Sequence, residues 1–255
     1  MKTTDKIAIS VITVMALSVG AYATCANDVD MGNNKITNVG TPTATTDAAN
    51  KGYVDDAITN ASGITAPAGY EVIYVNGVAW LDRNLGATTA CTTVDGDATC
   101  HGDLYQWGRP ADGHQVRTSG TQAGPTSTTQ PNHGDFLTVS ASPYNWLNSN
   151  VAHLWSVPGA NANGVCPVGW SVPSEQDFAD LSLTNSDDAF TKLKLTESGL
   201  RKNSDGSLGD VGIYGYYWSA SVGDEHSRSL GIHSGGEGFY FGGRAYGFSV
   251  RCLKY

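Results

Sequence analysis

"GIYGYYWSASVGDEHSRSLGIHSGGEGFYFGGRAYGFSVRC" spans Gly212–Cys252, close to the end of the 255-residue chain. It breaks into short apolar-rich runs, "YGYYWSAS", "RSLGIH", "GFYF" and "GFSVRC", separated by Gly-rich polar turns. That pattern predicts short strands closing the fold. In "RSLGIH", Leu230 and Ile232 alternate with Ser229, Gly231 and His233, which predicts one anchoring face and one face free to vary. In "GFSVRC", Phe248, Val250 and Cys252 are expected inward, with Ser249 and Arg251 outward. The stretch also lacks a residue that the rest of the chain uses freely. Sixteen Asn precede Ser204 and none follows it.

Charged residues make up only 15% of the chain, and its 31 Gly favour strands and turns over long helices. The formal charge of −9 and the absence of a basic stripe exclude non-specific nucleic-acid binding. At the N-terminus, Lys2 and Lys6 flank "MKTTDK", an apolar run covers Ile7–Gly20, and "AYA" at Ala21–Ala23 places small residues at a cleavage position. Residues 1–23 are therefore expected to be a signal peptide. The apolar run is shorter than the ~20 residues a membrane span needs. The protein is expected to be exported, either secreted or on a bacterial surface, with a virion tail tip as the alternative.

Export permits disulfides, and five Cys leave one over if the others pair. Cys91 and Cys100 would close a short loop, and a bond between Cys166 and Cys252 would tie the last strand to the middle of the chain. Cys25 is then the odd one, a candidate for lipidation or for a free or intermolecular thiol. No CxxC pair points to metal.

Working back from the C-terminal ribbon, "GYEVIYVNGVAWLDRNLGA" places Val72, Tyr74, Val78 and Trp80 around Asn76-Gly77, a hairpin signal. "PSEQDFADLSL" predicts a helix capped by Ser174, with Asp177 three residues on and Phe178 and Leu181 sharing a face. "SDDAFTKLKL" predicts a second, capped by Ser186 with Phe190 and Leu193 inward. Between Arg109 and His153 no periodicity appears, which predicts a functional or flexible loop region. Residues 24–66 contain no Trp or Phe and cannot bury enough apolar surface to fold alone. Ala49, Tyr53 and Ala57 form a weak helical stripe suited to pairing with copies of itself. The architecture expected is α+β, with short strands and two helices over residues 67–255, preceded by a short extended or helical stem over 24–66.

"MGNNKITNVGTPTATTDAANKGYVDDAI" resembles a module of phage tail fibres, which implies a homotrimer formed through the stem. "VAWLDRNLGA", "DLYQWGRPADGHQ", "GVCPVGWSVPSEQDFADL", "GYYWSAS" and "RAYGFSVRC" occur in that order. Together they resemble the Fibrobacter succinogenes major paralogous domain, a branch of the C-type lectin-like superfamily, from Gly69 to Lys254. The resemblance implies that Trp170, Pro173 and Trp218 are core markers and that Cys166 pairs with Cys252.

Relatives in that family often carry an Asn-crowded run where this chain has "VGDEHSRSLGIHSGGEGFYFGGRAYGFSVRC", and Tyr246 stands where the family string has Asn. Some members are diversified by retroelements that mutate template adenines. An Asn codon randomised at its first two bases reaches Gly, Asp, His, Ser, Arg and Tyr, but not Glu, so Glu225 and Glu237 would be template-fixed. The ligand-binding face expected from this resemblance and from the strand alternation comprises Gly223, Asp224, His226, Arg228, Ser229, Gly231, His233, Tyr240, Gly242 and Tyr246. Rigid aromatic, Ser and Gly contacts suit such a face.

The expected function is recognition of a protein or glycan at a cell surface, with a fixed-specificity adhesin or tail-fibre-type tip as the alternative. No cofactor is expected. "QPN" at Gln130–Asn132 is similar to one half of a calcium-lectin signature, but no "WND" or acidic cluster follows. Calcium takes about six to eight oxygen ligands. His101, His114, His133 and His153 are scattered without ligand spacing. "GFSVRC" is similar to the terminus of formylglycine-generating enzymes, which need reactive thiols. Cys166 and Cys252, committed to a disulfide, would not supply them, and no catalytic constellation appears. The protein is not expected to be an enzyme.

Overall fold

The structure is a computed structural model that describes residues 63–155 and 164–254. The expected signal peptide (1–23), Cys25 and nearly all of the expected stem (24–66) lie outside the described residues. The elements run β1 (Val72–Val75), β2 (Val78–Leu81), β3 (Tyr105–Gln106), β4 (Thr121–Ala123), β5 (Phe136–Thr138), α1 (Glu175–Ala179) and α2 (Ser186–Leu193). They continue with β6 (Leu200–Arg201), β7 (Leu208–Gly209), β8 (Tyr214–Gly223), β9 (His226–His233), β10 (Gly236–Gly242), β11 (Gly247–Phe248) and β12 (Leu253–Lys254). Small sheets with two short helices make this an α+β fold.

The β1–β2 hairpin forms where expected. Val75 pairs with Val78, leaving Asn76 (φ 53°) and Gly77 (φ 80°) as a two-residue turn with both residues left-handed. The register sets the facing of both strands. Val72 and Tyr74 lie with Leu81 and Ala79 on one side, whereas Ile73 and Val75 lie with Trp80 and Val78 on the other. A turn of two residues sets Val75 opposite Val78, so Val72 and Tyr74 fall on the face opposite Val78 and Trp80. The sheet β1-β2-β12 therefore partitions two cores. One contains Trp107, Trp146 and Trp218. The other contains Trp80, Phe178, Leu193, Leu230 and Ile232.

Helix α1 is capped as predicted. Ser174 Oγ accepts from the Asp177 N–H (3.2 Å) and Asp177 Oδ2 accepts from the Ser174 N–H (2.7 Å). In α2 the cap is Asn185, whose Oδ1 accepts from the Asp188 N–H (2.9 Å), and Ser186 is the first helical residue. The inward stripe runs Ser186, Ala189, Leu193 at helical spacing, which leaves Phe190 at its margin under the Lys194 ammonium (4.5 Å).

The stretch from Arg109 to His153 is neither a loose loop nor periodic. It buries Phe136, Leu137, Trp146 and Leu147, and buried cations do the work of regular structure. Arg109 donates to Gln106 Oε1 (2.9 Å), the Asp135 carbonyl (2.9 Å) and the His133 carbonyl (2.8 Å). Arg201 donates to Ser119 Oγ and the Ser119 carbonyl (both 2.6 Å) and lies on the Phe136 ring. His114 is enclosed, with Nε2 accepting from the Gln106 N–H (3.0 Å) and Nδ1 on Asp112 Oδ1 (2.7 Å).

The largest departure from the sequence reading is the C-terminal segment. Ser249 and Arg251, expected outward, are fully buried. The segment threads between two elements. The Leu81 and Leu85 N–H groups donate to the Cys252 and Val250 carbonyls (3.0 Å each), while Ser249 exchanges backbone hydrogen bonds with Tyr216 and Trp218 (3.0 Å each). Arg251 donates to the carbonyls of Leu81 (2.9 Å), Leu193 (2.6 Å) and Lys194 (3.0 Å) and to Asn84 Oδ1 (2.8 Å). Burial pushes its pKa down to about 10, so it stays charged at neutral pH. Cys252 bonds Cys166 across 86 positions, and Cys91 bonds Cys100 across nine. Two such bonds fit an oxidising, extracellular compartment. Among the described residues no helix is long and apolar enough to cross a membrane.

Three outcomes follow from this arrangement. Removing the Cys166–Cys252 bond by double Ala substitution lowers unfolding free energy by about 4–5 kcal/mol, against about 2–3 kcal/mol for the Cys91–Cys100 bond, from loop closure alone. Arg251→Met leaves four acceptors unpaired and costs about 3 kcal/mol or more. Denaturant titration reads all of these. His114, held to about 4 by burial, against 6.5 unfolded, stays neutral in the fold. The unfolded chain takes up the proton first, so stability declines as pH falls from about 6.5 towards 4. Melting temperatures across that window show a smaller decline in His114→Gln.

Candidate functional site

Strands β8, β9 and β10 form an antiparallel sheet with β9 in the middle. The register Tyr217↔Leu230 and Gly215↔Ile232 sets one face into the core, where Leu230 and Ile232 are wholly buried. The opposite face carries Tyr214, Tyr216 and Trp218 from β8, Ser229, Gly231 and His233 from β9, and Gly238, Tyr240 and Gly242 from β10.

On this face the aromatic rings form a continuous stack. His233 packs on Tyr214 (4.7 Å between centroids), Tyr214 on Tyr216 (5.8 Å), Tyr216 on Phe248 (5.1 Å) and Phe248 on Tyr246 (5.7 Å). Trp218 supports Phe248 from the core side at 4.3 Å. The Trp218 indole is in turn fixed by donating to the Tyr105 carbonyl (2.7 Å). Tyr240, 51% exposed, lies across the two glycines beside it. A Cβ on Gly231 would meet its ring at 2.7 Å, and one on Gly238 would meet its hydroxyl at 3.1 Å.

Tyr214, Tyr216, Tyr240, Tyr246 and Phe248, with Tyr144, Leu200 and Phe241, line a basin of about 580 Å³. That is within the usual size of a ligand site. Its lining holds no Asp, Glu, Lys or Arg; its polar groups are phenol hydroxyls, Ser229 and His226. The Tyr216 hydroxyl donates to Asp210 Oδ2 (3.1 Å), and burial together with that carboxylate raises its pKa above the ordinary tyrosine value. It is a hydrogen-bond donor throughout the physiological range.

The ten positions singled out from sequence fall into three groups. His226, Ser229, Tyr240, Gly242 and Tyr246 line the basin, His233 stands at its Tyr214 end and Gly231 lies beneath the Tyr240 ring. Gly223 and Asp224 sit at the β8–β9 turn, where Asp224 has φ 46° and its carbonyl accepts from Asn150 Nδ2 (2.7 Å). Arg228 is elsewhere. It ion-pairs with Glu175 on α1, which raises its pKa, and its guanidinium covers the Phe241 ring at 4.2 Å.

Three expectations of free variation need correction. Ser229, Gly231 and Gly242 are buried floor positions rather than outward side chains. The reason is steric: Tyr240 folds down over Gly231, and a Cβ on Gly242 would meet Trp218 at 2.8 Å. The alternation of β9 correctly separates the two faces, but period 2 says nothing about what lies on top of a face.

Tyr144, Tyr214, Tyr216, Phe241 and Phe248 also line the basin, and the sequence reading did not single them out as contact residues. Tyr214 and Tyr216 were legible, because "YGYY" places them two apart on the face opposite Tyr217. Tyr144 arrives from a loop with no sequence signal. Among the described residues no three His, Cys, Asp or Glu side chains converge as a metal site. Gln130–Asn132 forms a local turn in which Asn132 Nδ2 donates to the Gln130 carbonyl (2.9 Å).

No protein-family model, curated protein or solved structure matches this chain.

The floor and the rim of the basin are expected to respond differently to substitution. Gly242→Ala drives a methyl into Trp218 and costs about 1–3 kcal/mol. Tyr240→Ala, at a half-exposed position, changes stability by about 0.5 kcal/mol or less. Urea unfolding of the two variants side by side measures the contrast.

Proposed function

We propose that this protein is an exported recognition protein whose aromatic basin, built on β8–β10 and the segment Tyr246–Phe248, binds a partner at a cell surface. The single observation that carries the reading is convergence. Five residues chosen from sequence as contact residues line one neutral concave face, with a sixth at its edge, over a sheet whose reverse side is core. Rigid tyrosines lose little entropy when they bind, and glycines beneath them let the rings lie flat. Phenol hydroxyls supply directional hydrogen bonds without the desolvation cost of a buried charge.

The scaffold in this proposal is a C-type lectin-like domain of the Fibrobacter succinogenes major paralogous type, trimerised through the tail-fibre-like stem. The ordered motifs and the Cys166–Cys252 bond support that reading. Within it, the basin is the diversified surface. Asn is missing from just the segment that lines most of it, and the residues at His226, Tyr240 and Tyr246 all fall in the set that adenine mutagenesis of an Asn codon reaches. Positions 231 and 240 are coupled, because a side chain at 231 displaces the Tyr240 ring; Gly242 is fixed by Trp218. Diversification that respects the fold varies the rim and keeps Gly242.

Arrays of glycans and of secreted and surface proteins, probed with the full chain and with Tyr240→Ala/Tyr246→Ala, test the proposal. A ligand bound by the wild type and weakened about tenfold or more in the variant, roughly the 1.4 kcal/mol expected of lost aromatic contacts, supports it. Equal binding by both removes the basin from the function. An adenine-rich repeat of the Gly212–Cys252 coding region beside a reverse-transcriptase gene is the expected genomic setting.

A further inference from the structure

Strand β10 is the outer strand of its sheet, paired with β9 on one side only. Among the described residues, no backbone hydrogen bond joins Gly236–Gly242 to anything but β9. Natural sheets protect such an edge with Pro, Lys, a bulge or a covering loop. This strand has none of the first three. Its register with β9 is unbroken over seven residues, and its sole charge is Glu237 near one end. It also displays apolar surface: Tyr240 is 51% and Phe241 64% exposed. An open backbone edge flanked by exposed rings is a surface built to be covered.

The order of residues along it says by what. Gly238-Phe239-Tyr240-Phe241-Gly242 reads the same in both directions. A two-fold axis through an antiparallel strand pair reverses one copy against the other, so a palindrome meets its own like. We propose that β10 pairs with β10 of a second copy of this chain, with the two-fold axis at Tyr240. Tyr240 then faces its counterpart, each Phe239 faces the other copy's Phe241, and each Gly238 faces a Gly242. Three consecutive aromatic rungs are the cross-strand pairs that stabilise antiparallel ladders. The two Glu237 carboxylates fall outside the palindrome at opposite ends of the seam, so no like charges meet. The result is a six-stranded sheet running β8-β9-β10 and back. Pairing occupies the edge and leaves the sheet faces open, so two aromatic basins lie side by side on one surface. This pairing rests on the strand edge and not on the ligand reading above.

Cysteine cross-linking in the full chain, with Cys25→Ser so that this residue cannot contribute a cross-link, tests it. At the axis, opposed Cα atoms lie within the roughly 4.4–6.8 Å that a disulfide spans. Tyr240→Cys therefore gives a covalent dimer on mild oxidation, seen on a non-reducing denaturing gel. Glu237→Cys, exposed on the same strand, has its two copies offset by six residues, about 20 Å, and does not cross-link. An excess of about tenfold or more of dimer in Tyr240→Cys supports the pairing. Comparable dimer in both variants, or none in either, overturns it. Sedimentation of the unmodified chain provides a reading free of introduced thiols. A dilution-dependent doubling of mass that Phe241→Lys abolishes supports the seam, and identical behaviour of wild type and Phe241→Lys overturns it. Tyr246→Ala alone lies off β10, so ligand binding lost in that variant with dimer formation retained, or the reverse, lets the two proposals fail separately.

Discussion

Arg251 sits at the centre of the constraint on which the rest of the domain depends. A guanidinium wholly removed from water is tolerated only when most of its donors are matched, and here four acceptors from three separate parts of the chain converge on its two terminal nitrogens, leaving Nε alone without a partner. Two are the carbonyls of Leu193 and Lys194 at the end of α2, one is the Leu81 carbonyl at the end of β2, and one is the Asn84 side chain. The planar fork of arginine reaches all of them from one position, which a lysine ammonium could not do. The neighbouring Cys252 adds a covalent tie to Cys166. Charge, disulfide and backbone pairing thus fix the same few residues. Segment Gly247–Leu253 is the axle around which both cores are arranged.

The same device recurs wherever regular structure is missing. Arg109 lies over Trp146 and Arg201 over Phe136, each binding carbonyls of irregular chain. Arg244 lies over Trp107 at 4.4 Å and donates to the Val151 carbonyl and Ser227 Oγ; burial pushes its pKa down to about 10. An irregular backbone cannot satisfy its own carbonyls, and a buried guanidinium supplies several donors at once. Indole N–H groups do likewise, with Trp107 donating to Ser219 and Trp146 to Trp107. This explains how a chain with two short helices and mostly two- to four-residue strands holds an interior.

The basin inherits its rigidity from this interior. Trp218 has one side in the core and one beneath Phe248, so the ring stack is an extension of the packed protein rather than decoration on a loop. On the function proposed above, a rim that can change over a floor that cannot is the physical form the recognition surface takes. Gly242 against Trp218 marks where tolerance ends.

Sequence by itself determined the local features of this protein. The Asn76-Gly77 turn, the Ser174 capping box and the anchoring of Leu230 and Ile232 depend on residues a few positions apart, and local propensity is enough to read them. It also separated the face of Ser229, Gly231 and His233 from that of Leu230 and Ile232, because alternation assigns faces; His226 and Tyr246, which line the basin with Tyr240, were reached through the motif resemblance instead. Only the tertiary structure decided the rest. Whether Ser249 and Arg251 see water depends on β2 and β8 closing over both sides of their segment. Whether Gly231 is open depends on where the Tyr240 ring comes to lie. Which aromatics complete the basin depends on Tyr144 arriving from a distant, aperiodic loop. Periodicity records which way a side chain points, but burial is set by what the remainder of the chain brings to meet it.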